Sequence, residues 1–128
     1  MIQFMSKILL SIKPKYVKRI LEGTKKVEYR KVIPKCNDIT HIIIYASSPI
    51  CQVVAEVIVS NILSDIPSIL WERTFRIGGI SKDEYCTYFR NHEIAHAFMI
   101  KKVNIFTPYR NLIDYGIKRP PQNFVYIK

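Results

Sequence analysis

The 128-residue chain is poor in the residues that build metal and redox sites. Its three cysteines, Cys36, Cys51 and Cys86, contain no C-x-x-C pair and are odd in number, which excludes a zinc ribbon and a complete disulfide framework. They read as buried or free thiols of a reducing compartment. The three histidines, His41, His92 and His96, lack the spacing of a helical metal pair, so neither a metal nor a cofactor is expected. Glycine is scarce as well, and Gly78-Gly79 lacks the following Lys and Ser/Thr that a phosphate-binding P-loop requires. Long hydrophobic runs are missing. The longest, Ile42 to Ala46, is far below the ~20 residues of a membrane span. The apolar stretch near Met1 is broken by Lys7 and Lys13, with no small-residue cleavage site after it, so a cytoplasmic location and no membrane partner are expected.

Negative charge is the other shortage. Twenty Lys and Arg face ten Asp and Glu, for a net charge of +10. Residues 1 to 35 hold ten basic side chains against two acidic ones, +8 of that +10, so the positive charge is concentrated where the chain begins. Such a bias points to phosphates, nucleic acid or an anionic surface, with a plainly solvated basic face as the alternative.

What is abundant is Ile, Val, Tyr and Phe, in short runs bounded by Pro, Asn, Ser and Gly, which favours strands. Lys7 to Lys13 reads as a first strand. Pro14 then suits the first turn of a helix to about Glu22 with an apolar stripe of Tyr16, Val17, Ile20 and Leu21. Gly23 suits the left-handed position after it, and Lys25 to Arg30 alternates like a strand. A loop from Val32 to Asp38, containing Pro34 and Asn37, leads to a buried strand, His41 to Ala46, and Ser47-Ser48-Pro49 separates it from a long strand, Cys51 to about Val59. Ile66 to Thr74 reads as a short helix capped by Asp65, with Ile69, Leu70 and Trp71 inward. Ser81 and Glu84 form a capping box that opens a helix to about Phe89. Glu93 to Ile105 is again strand-like, with Ile94, Phe98, Ile100, Val103 and Ile105 towards the core, followed by a turn within Tyr109 to Tyr115 and a last strand, Phe124 to Ile127. With no repeat or linker, residues 1–128 form a single expected domain, residues 1–6 being a short extension. The pattern fits an α+β fold with a small mixed or partly closed barrel.

The segment from Ile8 to Arg30, with Ile20-Leu21-Glu22-Gly23 ending its helix and Thr24-Lys25 in the turn, resembles the opening signature of ASCH domains, relatives of the PUA fold. Ile44 to Pro49 and Ile117 to Phe124 are similar to members of that family too. The resemblance implies a PUA-like mixed β pseudo-barrel of about five or six strands with short flanking helices, and a ligand cleft between barrel and helices. Some similar proteins are amidohydrolases of acylated cytidines, and others are linked to RNA cleavage. In the amidohydrolases the Lys of the turn, a Thr three residues later and a downstream Glu do the work. Here Lys25 matches the Lys, Glu28 stands where the Thr would be, and Ile77-Gly78-Gly79 lies near the position of the Glu.

Beside the resemblance, the residues carry their own chemistry. A tight turn presents the Thr24 hydroxyl and the Lys25 ammonium, suited to a phosphate or a polarised carbonyl. Arg30 is placed either to clamp a phosphate or to pair with Glu28 or Glu56. Tyr45, Trp71 and Phe124 are candidates to stack on a base, or else core aromatics. Ser47 and Ser48 offer hydroxyls from a strand end, and Gln122 and Asn123 offer amides that can read a base edge. With Lys13, these residues make up the candidate binding site. The function they suggest first is a module that holds RNA, a nucleotide or a modified nucleoside. The alternative is a small hydrolase, an amidohydrolase or a ribonuclease, using Lys25 and Glu28, although on a regular strand begun at Lys25 those two side chains would face opposite ways. Nothing in the sequence sets an oligomeric state.

Overall fold

Pro14 fixes the backbone for a first helical turn, and Gly23, at φ 84°, supplies the left-handed residue that ends the helix. In the computed structural model, which describes residues 6–35 and 38–127, this unit is β1 (Ser6–Ile12), α1 (Pro14–Glu22) and β2 (Val27–Arg30). The chain continues through β3 (Ile39–Ala46), β4 (Gln52–Asp65), α2 (Pro67–Thr74), α3 (Lys82–Tyr88), β5 (Ala95–Arg110), a 3-10 turn (Leu112–Tyr115) and β6 (Phe124–Ile127). Residues 1–5 of the expected extension, the Cys36 thiol and Asn37 of the expected loop lie outside the described residues.

All six strands form one mixed sheet in the order β2-β5-β4-β3-β1-β6. β1 runs parallel to β3, and α1 and β2 make the crossover that a parallel pair requires. The other neighbours are antiparallel. The sheet curls until its edges approach. Arg30, at the end of β2, donates to the Ser11 carbonyl on β1 at 3.5 Å and to the Asn123 carbonyl just before β6 at 3.1 Å.

Alternation along the strands divides the apolar residues between faces. Ile8, Leu10 and Ile12 of β1 meet Ile42, Ile44, Val57 and Phe98 inside the curl, where α1 adds Val17 and Ile20. Leu9, Ile43, Tyr45, Val53 and Phe106 pack on the other face under Leu112 and Tyr115. A third cluster, Val27, Tyr29, Leu70, Tyr85 and Phe89, joins β2 to α2 and α3. Each fully buried side chain of this size contributes roughly 1.5 to 3 kcal/mol.

Several expected boundaries move. β2 begins at Val27 rather than Lys25, because the Lys25 and Lys26 amides bond to Arg19 and Ile77 outside the ladder. β4 runs to Asp65 and β5 to Arg110, beyond the expected Val59 and Ile105. Their pairing has register shifts at Ile58/Val59 and Val59/Asn61, which scramble the apolar alternation that would have revealed the extension. Ile66, not Asp65, caps α2, and the Asp65 carboxylate accepts the Ile66 amide instead of an amide inside the helix. Ile69, Ile94 and Ile105 are exposed, and so are Cys51 and Cys86. In α2 the inward positions are Leu70 and Thr74, one turn apart. No helix among the described residues is long and apolar enough to cross a membrane.

Candidate functional site

The end of α1 aims Lys25. The Arg19 carbonyl accepts the Thr24 and Lys25 amides at 3.0 Å each and the Thr24 hydroxyl at 3.2 Å, while Lys26 bonds to the Ile77 carbonyl. Lys25 is thereby held off the strand, and its side chain runs under α1, 2% exposed. Its ammonium donates to the Gly78 carbonyl at 3.0 Å, stands 4.0 Å from Glu28 Oε1, and lies over the Tyr29 ring at 4.9 Å. Burial lowers the Lys25 pKa from its ordinary value, Glu28 opposes that shift, and Arg19 adds to it. The expectation that Lys25 and Glu28 point apart is therefore corrected: residue 25 precedes the regular strand, so the parity of a strand does not apply.

The neighbouring bend is shaped around this lysine. Gly79 has φ +68°, and a Cβ there would lie 2.5 Å from the Lys25 Cβ. A Cβ on Gly78 would collide with the Tyr29 hydroxyl. That hydroxyl has a fixed role. Thr74 Oγ1 donates to the Leu70 carbonyl, so it accepts the Tyr29 proton at 2.7 Å. Burial raises the Tyr29 pKa, which keeps the phenol protonated and locked against α2.

Glu28 is 6% exposed and shared between two cations, Lys25 and Arg30, whose Nη1 is 3.4 Å from Glu28 Oε2. Arg30 thus bonds to Glu28 and to the two edge carbonyls at once. Across the cleft, Glu84 accepts from the Ser81 amide, from Tyr16 and from Arg19, and pairs with Lys15. The far wall is the segment before β6, held by the Ser11 hydroxyl on the Pro121 carbonyl and by Arg30 on Asn123.

These walls line an open-mouthed cavity of about 320 Å³, at the low end of the roughly 300 to 1,000 Å³ typical of small-ligand sites. Of the residues expected from the sequence, Lys13, Lys25, Glu28, Arg30, Gln122 and Asn123 line it. Six others stand elsewhere. Thr24 turns its hydroxyl back to Arg19, Tyr45 is 5% exposed in the core beside Phe106, and Trp71 packs on Phe75 and Tyr85. Phe124 rests against the inner core and Tyr126, and Ser47 and Ser48 occupy the turn after β3. The aromatic walls are instead Tyr16, Tyr29 and Tyr88, with Lys31 over the Tyr88 ring at 4.5 Å. The helical spacing of Tyr16 is that of a core residue and the position of Glu84 that of a cap, so spacing marks neither as a cavity wall. Among the described residues no cluster could hold a metal ion.

A family model described as the ASCH domain matches residues 10–104. The chain belongs to the ASCH domain family. An ASCH domain-containing ribonuclease of Zymomonas mobilis is 32% identical over 93 residues, covering 73% of this chain and 63% of that protein. The large ribosomal subunit protein uL22 of Ureaplasma parvum is 28% identical over 122 residues, 94% of this chain and 39% of that protein. The chain thus spans less than two thirds of the length of these curated relatives. The crystal structure of ASCH from Zymomonas mobilis superposes with a TM-score of 0.85 at 28% identity, over 95% of this chain and 87% of that one. This ASCH domain therefore has the PUA-like α+β fold, with six strands and three short helices.

Proposed function

We propose that this ASCH domain binds single-stranded RNA, seating one nucleotide in the cavity beside Lys25. The observation that carries the reading is the company the cavity keeps: Lys13, Lys25, Arg30 and Lys31 for phosphate, tyrosine rings for a base, and Gln122 and Asn123 for its edge. Charge-assisted bonds from such cations are roughly twice as strong as neutral ones.

A second reading, cleavage of the bound strand, is favoured by the buried Lys25–Glu28 pair and by the ribonuclease among the relatives. In it Glu28 removes the proton of a ribose 2′-hydroxyl, whose oxygen attacks the adjacent phosphorus while Lys25 stabilises the charge gathering on the phosphoryl oxygens. The bond to the 5′-oxygen breaks, that oxygen takes a proton from a water which Glu28 reprotonates in turn, and the products are a 2′,3′-cyclic phosphate and a 5′-hydroxyl end.

Fluorescence anisotropy with a short unstructured RNA at two salt concentrations, followed by product analysis, tests both. A salt-sensitive complex is expected, and Lys25→Ala should weaken it at least tenfold, about 1.4 kcal/mol. Equal affinity of parent and variant would remove Lys25 from the site. Cyclic-phosphate product that vanishes in Glu28→Gln would establish cleavage, and a nucleoside panel in the same assay covers a modified nucleoside as substrate.

A further inference from the structure

We infer that the cavity is built for a terminal phosphate of RNA, a monoester at the end of a strand, rather than for a phosphodiester within it. The inference rests on the RNA-binding reading above and goes to which part of the strand is held. It begins with the charges. Four cations line the cavity, Lys13, Lys25, Arg30 and Lys31, against two carboxylates, Glu28 and Glu84. Glu28 is bracketed by Lys25 and Arg30. Glu84 is engaged by Lys15 and Arg19 behind the wall, together with the Tyr16 hydroxyl and the Ser81 amide. Lys13 and Lys31 form no ion pair among the described residues, and the Lys31 ammonium leans over Tyr88 at the rim.

Lys13 and Lys31 thus bring two positive charges without a counter-charge, and Lys25 and Arg30, which share the one Glu28 carboxylate, leave a third. A phosphodiester brings one negative charge, whereas a phosphate monoester brings about −1.5 to −2 at pH 7 and three acceptor oxygens. The compact ammonium of lysine suits such a group as a point charge that several oxygens can share.

Shape agrees with charge. Lys25, Glu28 and Tyr29 close the floor, all buried, and Gly79 abuts the Lys25 stem so closely that a Cβ has no space. The side towards β6 is shut by Ser11 holding Pro121 and Arg30 holding Asn123. For an internal phosphodiester to reach this floor, the strand has to enter and leave by the same open side. A strand end requires only the mouth, where Lys13 and Lys31 are exposed.

The test uses the full chain and one short unstructured oligoribonucleotide in three forms, with a 5′-phosphate, with a 3′-phosphate, and with hydroxyls at both ends. Affinities are read by fluorescence anisotropy at pH 7.5 and pH 5, with strand integrity checked on gels. One phosphorylated form should bind at least tenfold more tightly than the hydroxyl form, and which one it is identifies the end that enters. That preference should shrink at pH 5, where the monoester, with its second pKa about 6, loses most of its extra charge. It should fall to about one in the double variant Lys13→Ala/Lys31→Ala, whose substituted side chains are exposed and leave the core untouched. Equal affinity for all three forms would overturn the inference and leave RNA binding standing. Failure of every form to bind would overturn both.

Discussion

One carboxylate ties α1 to α3. Glu84 closes the capping box with Ser81 and also receives Tyr16, Arg19 and Lys15, all from α1. The Ser81 amide, first among these, holds its carboxyl down to about 2 from the usual 4.5. Because the folded value lies below the unfolded one, the ionised group stabilises the fold above about pH 4.5, and that stabilisation is lost as pH falls towards 2. The side chain remains 26% exposed, so solvent screens the contributions of Lys15 and Arg19. Glutamine keeps the capping geometry but not the charge. Glu84→Gln should therefore cost on the order of 1 to 2 kcal/mol in urea unfolding at pH 7. The gap to the parent should close as the titration proceeds into acid. A gap that stayed constant with pH would assign the loss to packing.

At the scale of elements, two glycines with similar backbone angles do different jobs. Gly23, at φ +84°, ends α1 with nothing within 4 Å of where a Cβ would stand. Gly79, at φ +68°, presses directly on Lys25. Gly23→Ala should cost only the left-handed backbone penalty, about 1 to 2 kcal/mol. Gly79→Ala adds overpacking of a buried side chain and should lose about 2 to 4 kcal/mol, with weaker RNA binding from the molecules that remain folded. Equal losses in thermal or urea melts would show that the bend can shift away from Lys25 freely.

The same elements show what could be read from the chain beforehand. Pro14, Gly23 and the Ser81–Glu84 box announce helix ends by local chemistry, and those boundaries stand. The outer half of the β4–β5 hairpin carries no such signal, because register shifts, the exposed Asn61 and Ser64 and the half-buried His96 interrupt its alternation. Within the cavity, Lys25 was legible because it falls on the Lys of the turn that the ASCH resemblance marks, a short Gly-Lys turn being common by itself. Tyr16 and Tyr88 were not, since a tyrosine on a short helix has the same spacing whether it meets a core or a cavity wall. Tyr45 and Trp71 illustrate the converse: aromatic character marks burial more often than it marks a ligand.

For the whole molecule, the sheet order has a consequence beyond the site. β6 lies antiparallel beside β1, with Lys7 opposite Ile127, so the first and last strands meet at one point on the surface. Neighbouring strands are about 5 Å apart there, a gap that a few residues can bridge. Linking Lys128 to Met1 through about six flexible residues, and reopening the chain in the exposed Asn91–Glu93 turn, should give a circular permutant that folds and keeps its RNA affinity within a few-fold. Circular dichroism melts and the anisotropy assay check this, and an unfolded permutant would mean that the order of strand formation, not only their adjacency, matters. A fold whose first and last strands lie side by side is a cassette. A host chain can be interrupted at a single surface loop, pass through this domain, and resume within a few ångströms of where it left.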